Sequence, residues 1–231
     1  MKRSLLVILI VFFVLLLDQW LKIWVKTHMF YGENFLILGM EKARIHFVEN
    51  NGMAFGITLG GSWGKLALSL FRIFAVGALA FYIRFLVKTN ASRGLLVSFA
   101  LIFAGAVGNI IDSAFYGLIF SESYHGVATM FPEGGGYGGF LYGKVVDMFH
   151  FPLFTGHFPD WMPIWKGEAF TFFSPVFNIA DSAITVGVIY ILLFQRKYFK
   201  AIQAEAVTEN ENTPMPAAEN VQDTAKNQVE A

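Results

Sequence analysis

The sequence predicts an all-α membrane protein with four transmembrane helices, a small extracytoplasmic β-sheet and an interfacial loop or helix. Three observations carry that reading. Hydrophobic residues make up 55% of the 231 residues and charged ones only 15%, where a soluble domain carries about a quarter charged. The apolar residues are gathered into four blocks, about 5–25, 66–87, 95–119 and 172–194, each near the roughly 20 residues a helix needs to cross a bilayer. The basic residues fall on one side of those blocks. Lys2 and Arg3 precede the first, Arg84, Lys88 and Arg93 surround the turn between the second and third, and Arg196, Lys197 and Lys200 follow the fourth. By the positive-inside rule both termini are cytoplasmic. The larger loops, about 26–65 and 120–171, then face outward.

The first block resembles a secretory leader, since Lys2 and Arg3 precede a pure apolar run. Asp18-Gln19-Trp20-Leu21-Lys22 follows it, without a small-residue cleavage site, so it reads as a retained helix. In the first outer loop, Phe35 to Leu38 and Ala43 to Val48 suggest short strands, the latter by its period-two alternation. The second outer loop carries Pro132-Glu133-Gly134-Gly135-Gly136-Tyr137-Gly138-Gly139, whose glycines predict a mobile lid over residues 120–143. Residues 148–172 are rich in Phe, Trp and Pro, the composition of a segment in the headgroup belt. Residues 1–200 are expected to form one membrane domain. The polar stretch 204–231 is expected to be a disordered cytoplasmic tail that the chemistry does not need.

The formal net charge is zero and there is no cysteine. Nucleic acid is therefore not an expected partner, and disulfides, thiolate nucleophiles and Cys-held metals are excluded. His125, His150 and His157 lack the spacing of a metal motif.

Carboxylates inside apolar helices demand a reason, since a charge there costs at least about 2.5–3.5 kcal/mol. Asp18, Asp112 and Asp181 lie in or at the end of three different blocks. Helical rise puts Asp18 and Asp181 roughly 20 Å above the inner boundary and Asp112 about 26 Å, all in the outer third of the bilayer. Asp147, in the outer loop, could descend onto that layer. Asn109-Ile110-Ile111-Asp112 and Asn178-Ile179-Ala180-Asp181 repeat one pattern, with amide and acid on a single helix face. Asp18 and Asp112 are open to two readings, as orienting groups or as reacting ones. Arg72 falls at similar depth and is expected as a counter-charge to Asp18 and Asp112, or else to snorkel outward.

Taken together, these residues resemble the lipoprotein signal peptidase family, the bacterial type II signal peptidases. Asp18-Gln19-Trp20-Leu21-Lys22 is similar to the family's D-x-x-x-K, and Asn50-Asn51-Gly52-Met53-Ala54-Phe55 to its N-x-G-x-A-F. Gly105 to Asp112 is similar to its G-x-x-G-N-x-x-D, Val145-Val146-Asp147 to its V-V-D, and Phe177 to Asp181 to its F-N-x-A-D. The order of five weak motifs on four spans is what makes the match specific; it covers about residues 4–198. Two departures concern the second outer loop: Ser113 stands where the family usually has Arg, and a long insertion separates Asp112 from Asp147.

The resemblance implies an aspartic endopeptidase with Asp147 and Asp181 as catalytic dyad. Asp18, Lys22, Asn50, Gly52, Asn109, Asp112 and Asn178 would form the supporting polar shell. It implies no cofactor and no metal. The substrate would be a prolipoprotein already carrying diacylglycerol, cut just before its lipidated cysteine, and the other partner membrane phospholipid. The chain would work as a monomer in the bacterial inner membrane with its site toward the periplasm. The rival from another class is a small proton- or ion-coupled transporter, since intramembrane aspartates also mark ion paths. Against it stand the absence of inverted repeats and the gathering of the acids near one face instead of the midplane.

Overall fold

Long apolar runs without internal Pro build three helices, α1 (Arg3–His28), α2 (Gly61–Lys88) and α3 (Arg93–Ile111). In the computed structural model, which describes residues 2–51, 61–172 and 174–195, three helical stretches are long and apolar enough to cross a membrane. They are Arg3–His28, Trp63–Lys88 and Arg93–Ile119. Their exposed side chains are large and apolar, among them Ile8, Phe12 and Phe13 on α1 and Phe71, Phe74 and Phe81 on α2, as helices bathed in lipid require. A fourth helix, α4 (Ile179–Phe194), is apolar but shorter. Gly52 and the predicted tail 204–231 lie outside the described residues.

The last helix begins seven residues later than its apolar block. Val176–Phe177 pairs as a short strand instead, and Asn178 starts the helix. The Asn178 side chain accepts from the Asp181 amide at 2.9 Å, while Asp181 accepts from the Asn178 amide at 3.3 Å. This is a reciprocal capping box. The second copy of the N-x-x-D pattern has a different local setting. At Asp112 the α3 helix widens into a π turn, Asp112–Tyr116, before a final turn at Gly117–Ile119.

The predicted strands form, and a four-stranded antiparallel sheet collects them. β1 (Asn34–Ile37) and β2 (Met40–Asn50) are joined by a two-residue turn, Leu38-Gly39, with both residues at positive φ. That is the twist a tight hairpin needs. The sheet order is β1-β2-β3-β6, with β3 (Val145–His150) and β6 (Val176–Phe177) brought in from the second outer loop. Alternation along β2 buries Ala43, Ile45, Phe47 and Glu49. Ile45 and Phe47 pack with Val25 and Met29 of α1, Val146 and Met148 of β3, and Tyr116 and Phe120 beyond the π turn. The sheet is thereby seated on the outer end of α1. Within the aromatic segment 148–172 the chain forms strands, not a helix: among the described residues β4 (Phe154–His157) pairs with β5 (Ala169–Phe172) as a two-stranded sheet.

The insertion is anchored backbone to backbone, not hung free as its glycines suggest. A π turn leaves carbonyls without helical partners, and the insertion supplies them. The amides of Gly143, Leu141 and Gly138 donate to Ser113, Ala114 and Gly117 at 2.8, 3.3 and 2.9 Å, and Phe131 and Tyr137 donate to Ile119 and Phe120. Its glycines serve close approach more than freedom. A Cβ on Gly136 would lie 2.1 Å from the Gly117 carbonyl, and one on Gly143 the same distance from that of Asp112, whereas Gly134 has open space around it. Ser113, fully enclosed here, donates its hydroxyl to the Asn109 carbonyl. An Arg at that position would have to leave this packed turn.

Gly136→Ala should therefore lower thermal stability in detergent by about 1–3 kcal/mol, the usual penalty of overpacking. Gly134→Ala should leave it within experimental error. Equal melting temperatures for the two variants would return the insertion to the status of a loose loop.

Candidate active site

Four elements converge where α4 begins. The first organising group is Lys22, whose ammonium is fully buried. It reaches Asp18 at 2.9 Å, Asp112 at 2.8 Å and the Asn109 side-chain oxygen at 2.9 Å. An ammonium has three protons and no acceptor, so each proton has its own partner. Spacing of four puts Asp18 and Lys22 on one face of α1, and α3 brings Asn109 and Asp112 to meet them. Gln19 adds a neutral bridge, donating to both Asp18 and Asp112 and accepting from the Tyr116 hydroxyl.

Each bridged acid then uses its remaining capacity to hold another element. Asp18 accepts from the Ala180 amide in the first turn of α4 at 2.9 Å. An acid there satisfies an orphan amide and meets the positive end of the helix dipole. Asp112 accepts from the Val146 amide of β3 at 3.2 Å. Small residues allow the approach. A Cβ on Gly108 would sit 2.7 Å from the Asp18 carboxylate, and one on Gly105 would sit 2.2 Å from the Ala180 carbonyl. The G-x-x-G-N-x-x-D run thus brings α3 and α4 close and leaves room for the α1 acid between them.

On this scaffold sit Asp147 and Asp181. Asn178 holds both: its side-chain amide donates to Asp147 at 2.7 Å, and its backbone amide donates to Asp181. Asn109 donates to the other oxygen of Asp181 at 2.8 Å, and Asn50 to the other oxygen of Asp147 at 3.3 Å. Of the sequence-predicted residues, Asp18, Lys22, Asn50, Asn109, Asp112, Asp147, Asn178 and Asp181 form one connected network; Gly52 is outside the described residues. Arg72 lies within reach of the charges of Asp181 and Asp147.

Asp147 is almost fully enclosed while Asp181 is partly exposed. Burial disfavours the Asp147 carboxylate most, and the charge of Asp181 adds to it. Together they push its pKa up to about 7, against the opposing pull of Asn50, Lys22 and Asn178. An acid that retains its proton near neutrality beside a second acid can donate and accept a proton in one cycle.

Comparison with known proteins gives the family. A family model described as signal peptidase (SPase) II matches residues 10–196. The chain belongs to the lipoprotein signal peptidase family. A lipoprotein signal peptidase of Porphyromonas gingivalis is 52% identical over 180 residues, covering 78% of this chain and 77% of that protein. One from Amoebophilus asiaticus is 38% identical, covering 84% and 81%. A solved structure described as a bacterial membrane enzyme matches with a TM-score of 0.53 at 28% identity, covering 83% of this chain and 92% of that one. This signal peptidase is accordingly a multi-pass membrane protease that removes signal peptides from prolipoproteins.

Sequence reasoning missed part of the signal peptidase's polar interior. Lys26, one turn beyond Lys22, is fully buried and pairs with Glu49; Ser123 of the insertion bonds both. The rings of Tyr137, Phe120 and Phe47 surround the Lys26 ammonium at 4.9, 5.4 and 5.9 Å. Lys144, two residues before Val146, bonds Glu49 and Glu122. The i, i+4, i+8 series Asp18, Lys22, Lys26 was the available signal, and Glu49 sits beside Asn50. The network clamps the outer ends of α1, β2 and β3 through the insertion.

Lys22→Met leaves two buried acids uncompensated, and loss of one partner of a buried pair costs about 3–5 kcal/mol. The variant should show that loss in detergent unfolding, and a shift under 1 °C would deny the bridge its role. Asp147 gives a pH signature. Between about 4, the ordinary carboxylate value, and about 7 the folded chain holds a proton that the unfolded chain has released. The contribution of Asp147 to stability must therefore fall as pH rises across that window. Asp147→Asn should flatten that decline and raise the melting temperature at pH 8. A variant with the parental pH slope would contradict the assignment.

Proposed function

We propose that this family member is an aspartic endopeptidase in which Asp147 and Asp181 share one proton and activate water against the peptide bond preceding the lipidated cysteine of a prolipoprotein. The observation that carries the reading is the bridging of both acids by the single residue Asn178, with Asp147 pushed up to about 7. In the resting pair the proton belongs to Asp147, the more enclosed acid. Asp181 takes a proton from water as the water oxygen attacks the scissile carbonyl. Asp147 donates to the carbonyl oxygen. As the tetrahedral intermediate collapses and the C–N bond breaks, the proton gathered on Asp181 passes to the leaving amine of the cysteine, and a hydroxyl of the intermediate returns its proton to Asp147 as the new carboxyl group forms. The amides of Asn50, Asn109 and Asn178 point at the carboxylates, so their first task is to hold the dyad's geometry. Lys22, Asp18 and Asp112 hold in place the strand and the helix that bear the dyad, through the Val146 and Ala180 amides.

The same reading sets the chain in its membrane. Four crossings are supported by the apolar composition of α4, whose 16 residues span roughly 24 Å of helix, just short of the core thickness. The basic residues around the termini and the α2–α3 turn support cytoplasmic ends. The acids then face the periplasmic side of the inner membrane, at the level where the diacylglyceryl group of the substrate lies. In this reading the chain works as a monomer surrounded by phospholipid.

Cleavage of a lipidated and an unlipidated lipobox peptide by the purified chain in detergent tests the proposal. The lipidated peptide should be cut before its cysteine. Asp147→Asn and Asp181→Asn should each reduce the rate by at least about 10²–10⁴-fold, a typical contribution of a general acid or base. The double variant should be no worse than either single, because the two act as a unit. Activity should fall on the alkaline side near pH 7, as Asp147 loses the proton it must donate. Near-parental cleavage by Asp147→Asn would sink the mechanism.

A further inference from the structure

The chain between the two halves of the candidate dyad does more than connect them. After β3, which carries Asp147, the chain leaves the sheet and residues 154–172 form the β4–β5 hairpin; β6 then lies immediately before Asn178 and the first turn of α4. No residue from 153 to 172 is buried.

The register gives this hairpin two unlike faces. Phe154 lies opposite Phe172 and Gly156 opposite Phe170, while Thr155 faces Thr171 and His157 faces Ala169 on the other side. One face is therefore aromatic and the other small and polar. On the aromatic face, Phe154 stacks on Phe172 at 4.7 Å, and Phe158 meets Phe170 at 4.8 Å and Trp165 at 5.6 Å. Gly156 makes room for this: a Cβ there would lie 2.9 Å from the Phe170 ring. The face is nonetheless open, with Phe154 and Phe172 about half exposed and Trp161 and Ile164 at the tip 78% and 73% exposed. An isolated two-stranded hairpin is marginal in water, and an apolar patch of this kind is covered by something.

We infer that the covering medium is the outer leaflet itself, and that the β4–β5 hairpin is an interfacial anchor lying with its aromatic face in the boundary between headgroups and acyl chains. Three features select lipid over a protein partner. The roots are continuous with the lipid-facing surface, since the hairpin returns through β6 two residues before α4, whose Val186 and Ile189 are exposed apolar side chains. The aromatic face runs on into the sheet through Phe151, which meets Phe149 at 6.4 Å and Phe177 at 5.7 Å. The composition, Phe and Trp backed by Thr, His and a polar tip of Asp160, Lys166 and Glu168, is that of the membrane–water boundary, where ring bodies prefer acyl chains and polar groups prefer headgroups. Because the hairpin is spliced between β3 and β6, its depth sets the height of both strands relative to lipid. This second consequence rests on the dyad proposed above; the anchor itself does not.

The test is a depth measurement. Trp20, Trp24 and Trp63 are replaced by Phe, leaving Trp161 and Trp165 as reporters, and the chain is reconstituted in phosphatidylcholine vesicles. Phospholipid brominated at the headgroup end of its chains should quench their emission strongly, phospholipid brominated near the chain ends weakly, and aqueous iodide little. Strong iodide quenching would put the hairpin in water. Quenching by none of the three would put it under a second copy or another protein. Either result overturns the proposal, whatever the chain does to peptides. A second variant, Phe154→Ser with Phe172→Ser, should lose most of the bromolipid quenching and raise the KM for lipidated lipobox peptide several-fold in vesicles, with kcat retained and the detergent KM unchanged. A KM raised equally in detergent would mean that the face holds the peptide, and would also overturn the anchor.

Discussion

The buried ammonium of Lys22 is the interaction on which the remaining geometry depends, because it makes possible everything that its two acids do next. An uncompensated carboxylate in the apolar layer is expensive, and two of them close together more so. With Lys22 between them, Asp18 and Asp112 remain acceptors with oxygen lone pairs to spare. Asp18 spends one on the Ala180 amide and Asp112 one on the Val146 amide. A single cation thus fixes where α4 begins and where β3 begins. Asp181 and Asp147 lie one residue beyond those two contacts.

A membrane offers no hydrophobic drive between helices, since lipid tails are as apolar as leucine. The association of α1, α3 and α4 must come from contacts that lipid cannot make. Two kinds are present. Glycines at 105 and 108 let α3 meet the first turn of α4 closely. The polar network supplies hydrogen bonds whose alternative is an unsatisfied group in hydrocarbon. Both kinds concentrate at the outer end of the bundle, while the outward-facing side chains of α1 and α2 are bulky and apolar.

Much of this was legible before any coordinates. The blocks of apolar sequence gave α1 to α3 within a few residues, the alternation gave β2, and rise per residue put Asp18, Asp112 and Asp181 in one layer. The twin N-x-x-D patterns were visible, but not that Asn178 caps a helix whereas Asn109 precedes a π turn; local sequence does not distinguish them, and tertiary partners do. The late start of α4 was hidden because the block from Phe172 onward is as apolar in strand as in helix. The lid expectation failed because glycine counts were read as freedom. At Gly136 and Gly143 they mark backbone packed on backbone, and only the neighbouring carbonyls reveal it. Lys26 and Glu49 were missed because a charged pair near a predicted boundary reads as surface until the aromatic rings around it are seen.

The capping box at Asn178 ties two properties that are usually separable. In most helices the first turn frays at little consequence, since termini open far more readily than cores. Here the residue that closes the first turn of α4 also grips Asp147 through its side chain and Asp181 through its backbone. Fraying by one turn would take from both carboxylates the partner they share, leaving Asp147 to Asn50 and Asp181 to Asn109, and would loosen the Ala180 contact that spans to α1. The geometry of the site is thereby coupled to the folding of a helix end.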